Sequence, residues 1–177
     1  SLVLQLIASR LSTGSWDDSE PFYLNNISAR NPLPGNRGQT LHTDSSIPGL
    51  NQTLFVNALW CLDDFNLANG TTRLIPGSHK RTVFPETGAH YDDEVSIDAS
   101  AGSVVLFDGS LWHAGGARPR DASGTRWAVI LGYARWWIKP SFDTASNTPQ
   151  HLWDEMSDNL RRVLGFDSLP PIDEFIR

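Results

Sequence analysis

Within Gln39-Thr40-Leu41-His42-Thr43-Asp44 an imidazole and a carboxylate stand two positions apart. In extended chain, residues i and i+2 project from one face, so both side chains can reach a single metal ion. A third ligand must come from elsewhere. The best candidate is His113 in Leu111-Trp112-His113-Ala114-Gly115-Gly116, directly after an apolar, strand-like run. Two histidines and one carboxylate leave coordination positions open, the pattern of a non-haem Fe(II) that binds both a cosubstrate and O2. The trio does not suit a closed structural zinc site, which takes four protein ligands. Arg126 stands at the head of the next apolar segment. If it points inward with Ala128 and Ile130, its guanidinium is costly to bury unpaired, and a carboxylate ligand would complete it as a bidentate partner. Asp108 and Asp121 are the protein alternatives for that role.

The elements that must position these groups are mostly strands. Gln52 to Leu62 is apolar on both alternating faces and predicts a central strand between two layers. Asn57, on the same face as Thr53, is a candidate pocket residue. Thr71 to Ile75 predicts a short strand stopped by Pro76-Gly77, Ser103 to Phe107 another, and Arg126 to Ile138 a long one. Thr13 to Gly38, rich in Gly, Ser, Asn and Pro, reads as a loop approaching the HxD segment, and Ser78 to Asp93 as a surface loop. One helix is expected, with Thr148 as N-cap, Pro149 at its first position, apolar residues at helical spacing from Leu152 to Leu164, and Gly165 past its end. Leu2 to Ala8 reads as core. Short strands with Gly/Pro turns and one late helix indicate an antiparallel sandwich or jelly roll.

Composition narrows the partners. The 177 residues fit one domain, and their start without Met suggests a chain lacking part of its N-terminal region. The net charge of −6, without a basic stripe, argues against nucleic acid or an acidic membrane as partner and for a small-molecule substrate. No stretch is apolar for long enough to span a bilayer. The single cysteine, Cys61, rules out an internal disulfide and favours a reducing, cytoplasmic setting.

Gln39 to Asp44, the block Asn69-Gly70-Thr71-Thr72-Arg73-Leu74-Ile75-Pro76-Gly77-Ser78-His79, Trp112-His113 and Arg126 together resemble the phytanoyl-CoA dioxygenase family. These are Fe(II)- and 2-oxoglutarate-dependent oxygenases on a mainly β, double-stranded β-helix (jelly roll, cupin-like) with flanking helices. The resemblance spans Gln39 to Lys139. It implies His42, Asp44 and His113 as iron ligands, Arg126 as anchor of the distal carboxylate of 2-oxoglutarate, and Gln39 and Thr72 as further contacts to that cosubstrate. It also implies O2-dependent hydroxylation of an aliphatic C–H, with release of succinate and CO2. Asp44 fills the coordination position that related halogenases leave to chloride. The interval from His113 to Arg126 is longer than usual for the family, so Arg118 and Arg120 stay open as alternative anchors. Two other readings stay open as well: a catalytically inactive jelly-roll ligand-binding module, and a cupin-like metalloenzyme that does not use 2-oxoglutarate. His79 is expected to support the Pro76-Gly77 turn, and Trp60, Trp127, Trp136 and Trp137 to serve packing.

Overall fold

A computed structural model describes residues 1–12 and 22–166. The chain divides into two compact units, Ile27–Gly132 and a second made of Ser1–Asn26 with Tyr133–Arg177. The architecture is a mainly β jelly roll of two antiparallel sheets with few helices. In chain order the elements are α1 (Leu2–Leu11), β1 (Phe22–Arg30), β2 (Phe55–Cys61), β3 (Thr72–Leu74), β4 (Val95–Ser96), β5 (Val104–Asp108), β6 (His113–Gly115), β7 (Ala128–Arg135), α2 (Thr144–Asn147), α3 (Gln150–Glu155) and α4 (Asp158–Val163). One sheet has the order β1-β7-β2-β5 and the other β4-β3-β6. Among the described residues no helix is long and apolar enough to cross a membrane.

The expected central strand is β2, flanked by β7 and β5, with Val56, Asn57, Ala58 and Leu59 all buried. A strand covered on both faces has no polar side to show, which is why its sequence is apolar at nearly every position. Its antiparallel register with β5 pairs Asn57 with Phe107 and Leu59 with Val105. Leu59, Cys61, Phe65 and Ala128 form a buried cluster, against which Val105, Phe107 and Ile130 pack. In the other sheet β3 sets Thr72 opposite Gly115 and Leu74 opposite His113.

Three expectations need correction. The stretch Thr13 to Gly38 is not all loop, because Phe22–Arg30 is a strand with Tyr23 and Asn25 buried on alternate positions. The polar pair Asn25-Asn26 disguises it. Asn25 is tolerated inside because its amide donates to the Lys139 carbonyl at 3.2 Å and its Oδ1 accepts from the Ser141 hydroxyl at 2.7 Å. The part of that expected loop from Thr13 to Pro21 lies outside the described residues. Second, the late helix is broken. Met156 is extended, and the Ser157 hydroxyl caps a new helix by accepting from the Leu160 amide, while Arg161 reaches back to the Trp153 carbonyl at 2.8 Å and stacks on its ring. Third, Leu2 to Ala8 is not wholly core: it forms most of α1, which buries Ile7 and Leu11 but leaves Leu2 and Leu6 exposed.

Candidate active site

The three proposed ligands meet through a backbone bridge outside the named strands. His42 and His113 pair antiparallel, each amide donating to the other's carbonyl at 3.0 Å, so that His42 extends the sheet on the free edge of β6. Two residues on, the Asp44 amide donates to the Gly109 carbonyl at 2.8 Å, which ends the extended run and turns its side chain toward the imidazoles. One donor atom from each of His42, Asp44 and His113 lies within 4.8 Å of the others.

Each side chain is held from behind. Nδ1 of His42 lies 3.0 Å from the Thr40 carbonyl and Nδ1 of His113 lies 2.8 Å from that of Leu111. A carbonyl only accepts, so in the neutral imidazole Nδ1 carries the proton and Nε2 presents the lone pair. Burial pushes the His113 imidazole below its ordinary pKa; the Asp44 carboxylate opposes this shift without cancelling it. A neutral imidazole is the metal-binding form. Asp44 Oδ2 lies 3.5 Å from His113 Nε2 and accepts at 2.7 Å from the amide of Asn57. The ring of Phe107 packs at 4.8 Å from that of His113.

The frame of the site is a close packing of backbones. Gln39 binds β6 twice, its amide donating to the Gly115 carbonyl at 2.8 Å and its Oε1 accepting from the Gly115 amide at 2.9 Å. Thr72 is buried opposite Gly115, and residues two apart on a strand share a face, so it sits on the same side of the ladder as His113. A Cβ on Gly116 would run into the Thr71 carbonyl, which explains the second glycine of Trp112-His113-Ala114-Gly115-Gly116. The Pro76-Gly77-Ser78-His79 turn serves the same strand: buried Ser78 accepts from the Trp112 amide at 2.8 Å, one residue before His113. The clamp is therefore Ser78 and not the neighbouring His79.

Of the three candidate anchors, Arg120 is exposed and Arg118 and Arg126 are buried. Arg118 is occupied: its guanidinium donates to the carbonyls of Pro32, Ser123 and Gly124 at 2.8–3.0 Å, with Asn31 Oδ1 at 3.5 Å. Arg126 lies over the Phe65 ring at 4.6 Å and is 5% exposed, and among the described residues its side chain has no hydrogen-bond acceptor and no ion pair. Asp108 is engaged with Thr53 and Ser110, not with Arg126. Burial and the like charge of Arg118 both pull the Arg126 guanidinium below its ordinary range. Cys61, two positions along β2 from Leu59 and four from Asn57, is close enough to offset part of this. The inward row of β2 thus runs from Asp44 at one end toward Arg126 at the other.

Sequence comparison finds the same family. The dioxygenase af480 of Aspergillus fumigatus is 30% identical over 151 residues, covering 82% of this chain and 48% of its own length. The iron/alpha-ketoglutarate-dependent dioxygenase ausO of Aspergillus calidoustus is 25% identical over 171 residues, covering 91% of this chain and 57% of its own. The chain spans about half the length of the curated relatives it matches. Among solved structures, HygX of Streptomyces hygroscopicus with nickel and 2-oxoglutarate bound superposes with a TM-score of 0.59 at 16% identity, over 76% of this chain and 62% of HygX. That likeness establishes the fold. The family model for phytanoyl-CoA dioxygenase matches residues 3–122, a span that holds His42, Asp44, Thr72 and His113, and by that match the chain belongs to the phytanoyl-CoA dioxygenase family.

Proposed function

We propose that the chain carries the catalytic centre of an Fe(II)- and 2-oxoglutarate-dependent dioxygenase that hydroxylates an aliphatic C–H of a small molecule. The observation that carries this reading is the pairing of two incomplete sites. One is a His-Asp-His set with one donor atom from each residue converging; the other is a buried guanidinium with no acceptor among the described residues. A ligand with one end that chelates a metal and a carboxylate at the other completes both. Relatives named for iron and alpha-ketoglutarate, and a fold shared with a protein that holds nickel and 2-oxoglutarate, support that identity.

The donor set fits Fe(II), which His42, Asp44 and His113 would hold. When bound, iron and 2-oxoglutarate supply the activation of O2, with succinate and CO2 as products. The residues do the rest. Thr40 and Leu111 hold the imidazoles in the ligating tautomer, Arg126 receives the distal carboxylate as a charge-assisted partner, and Phe107, Leu59 and Phe65 keep the intervening space apolar. Thr72, opposite Gly115, and Gln39, bonded to Gly115, would be further contacts to the cosubstrate.

Anaerobic titration of metal-free protein with Fe(II) and then 2-oxoglutarate tests the assignment. The expected result is a visible metal-to-ligand charge-transfer band that is lost in Asp44→Ala and requires much more 2-oxoglutarate in Arg126→Met. Iron binding with no band at any 2-oxoglutarate concentration would refute it.

A further inference from the structure

Asp44 is the least constrained of the three proposed ligands. Its side chain is 42% exposed, it sits on a bend after the His42 bridge, and among the described residues its backbone is tied by the one hydrogen bond to Gly109. A carboxylate so placed is free to rotate about two side-chain bonds. What stops it is a residue from the other sheet: Asn57, 3% exposed on central strand β2, donates Nδ2–H to Oδ2 at 2.7 Å. That oxygen is also the one 3.5 Å from His113 Nε2, hence the one that faces the place where the donors converge.

We infer that Asn57 is a positioning residue for the metal-binding carboxylate, selecting which oxygen of Asp44 ligates and in what direction its remaining lone pair points. The inference rests on the metal reading above. Three features favour this over a generic buried amide. Burying an asparagine is unfavourable unless its polar atoms are bonded, and here one of them is spent on Asp44, across a gap between elements. An ionised carboxylate can only accept, so the amide nitrogen must be the atom that faces it. The donor is neutral, so it orients the carboxylate while leaving its charge for the metal, which a lysine or arginine at position 57 would neutralise. Asn57 also stands directly across from Phe107 in the β2–β5 register, and Phe107 packs on the His113 ring. One cross-strand pair, on central strand β2 and its edge neighbour β5, therefore braces two of the three ligands, which neither the loop at Asp44 nor the short strand β6 does alone.

The test is a double-mutant cycle on metal affinity with no turnover involved. Ni(II), which binds imidazole sites tightly, is titrated calorimetrically into wild type, Asn57→Leu, Asp44→Ala and the double variant. Asn57→Leu is expected to weaken Ni(II) about 10- to 100-fold in the wild-type background, the usual consequence of losing an outer partner of a ligand, and less than about twofold in Asp44→Ala. Equal weakening in both backgrounds would mean that Asn57 serves only packing, and no weakening in either would mean that it does not position Asp44; both overturn the inference. Should the leucine variant not fold, Asn57→Ala, which leaves space and no clash, runs the same cycle. Wild type and Asp44→Ala binding Ni(II) alike would instead overturn the metal reading itself, a separate outcome.

Discussion

Arg118 and Arg126 stand eight positions apart in one loop-and-strand segment, both buried and both with an unpartnered Nε, but the partners of their terminal nitrogens differ. Arg118 is a structural cation: three backbone carbonyls, with Asn31 Oδ1 at the limit of bonding distance, hold its two terminal nitrogens and tie the loops at Pro32 and Ser123-Gly124 together. Arg126 has a phenyl face beneath it and no acceptor among the described residues. Burial alone therefore says nothing about role. A buried cation whose partners are all within the chain is part of the fold, while one with no acceptor among the described residues is where the proposed anion would bind.

The contrast is broken most severely by removing Arg118. Arg118→Leu removes three charge-assisted hydrogen bonds to the carbonyls of Pro32, Ser123 and Gly124, and unfolding in urea should show a loss of roughly 3–4 kcal/mol. Arg126→Met should behave oppositely, since it deletes an unpaired buried charge and replaces it with apolar volume. Its stability in the absence of ligand should stay within about 1 kcal/mol of wild type. The difference then appears on adding ligand. With Fe(II) present under anaerobic conditions, 2-oxoglutarate at 100 times its Kd stabilises the native state by about 2.7 kcal/mol. A thermal-shift measurement should find this in wild type and lose most of it in Arg126→Met. If Arg118→Leu abolished the ligand-dependent shift while remaining folded and Arg126→Met kept it, the roles assigned to the two arginines would be reversed.

The same contrast marks how far the sequence could be read. His42 and Asp44 were legible because alternation along an extended chain is a local rule, and β2 was legible because a doubly covered strand is apolar throughout. Arg126 and Arg118 were both visible as candidates, but the choice between them depends on where the carbonyls of residues 32, 123 and 124 fall, and no local pattern encodes that. Asn57 did carry a signal, as the single polar side chain among Phe55 to Cys61. Its partner is thirteen positions earlier on another element, so only the fold reveals what it holds. Strand β1 and the break between α3 and α4 went unread for a shared reason: Asn25 and Ser157 look like breakers and are satisfied by bonds to Lys139, Ser141 and Leu160.

The smallest effect concerns the acid that senses Arg118. Asp63 Oδ2 accepts from the Trp127 amide and the Thr125 hydroxyl, each at 2.7 Å, and so fixes the backbone on either side of Arg126. The Trp127 and Thr125 hydrogen bonds, with a weaker contribution from Arg118, hold its carboxyl below the ordinary aspartate value of 3.8. A group whose folded pKa is depressed stabilises the native state at pH values above its unfolded pKa, and that contribution is lost as pH falls through the folded value. Asp63→Asn keeps an oxygen acceptor in the same place but cannot titrate. Urea midpoints of wild type and Asp63→Asn should therefore differ by a small, constant amount from neutrality down to about pH 5, well above the unfolded aspartate pKa. The gap should close progressively below about pH 4, where wild type binds the extra proton on unfolding. A gap that is independent of pH across that range would show that Asp63 acts through packing alone and that its charge plays no part in holding the segment that carries Arg126.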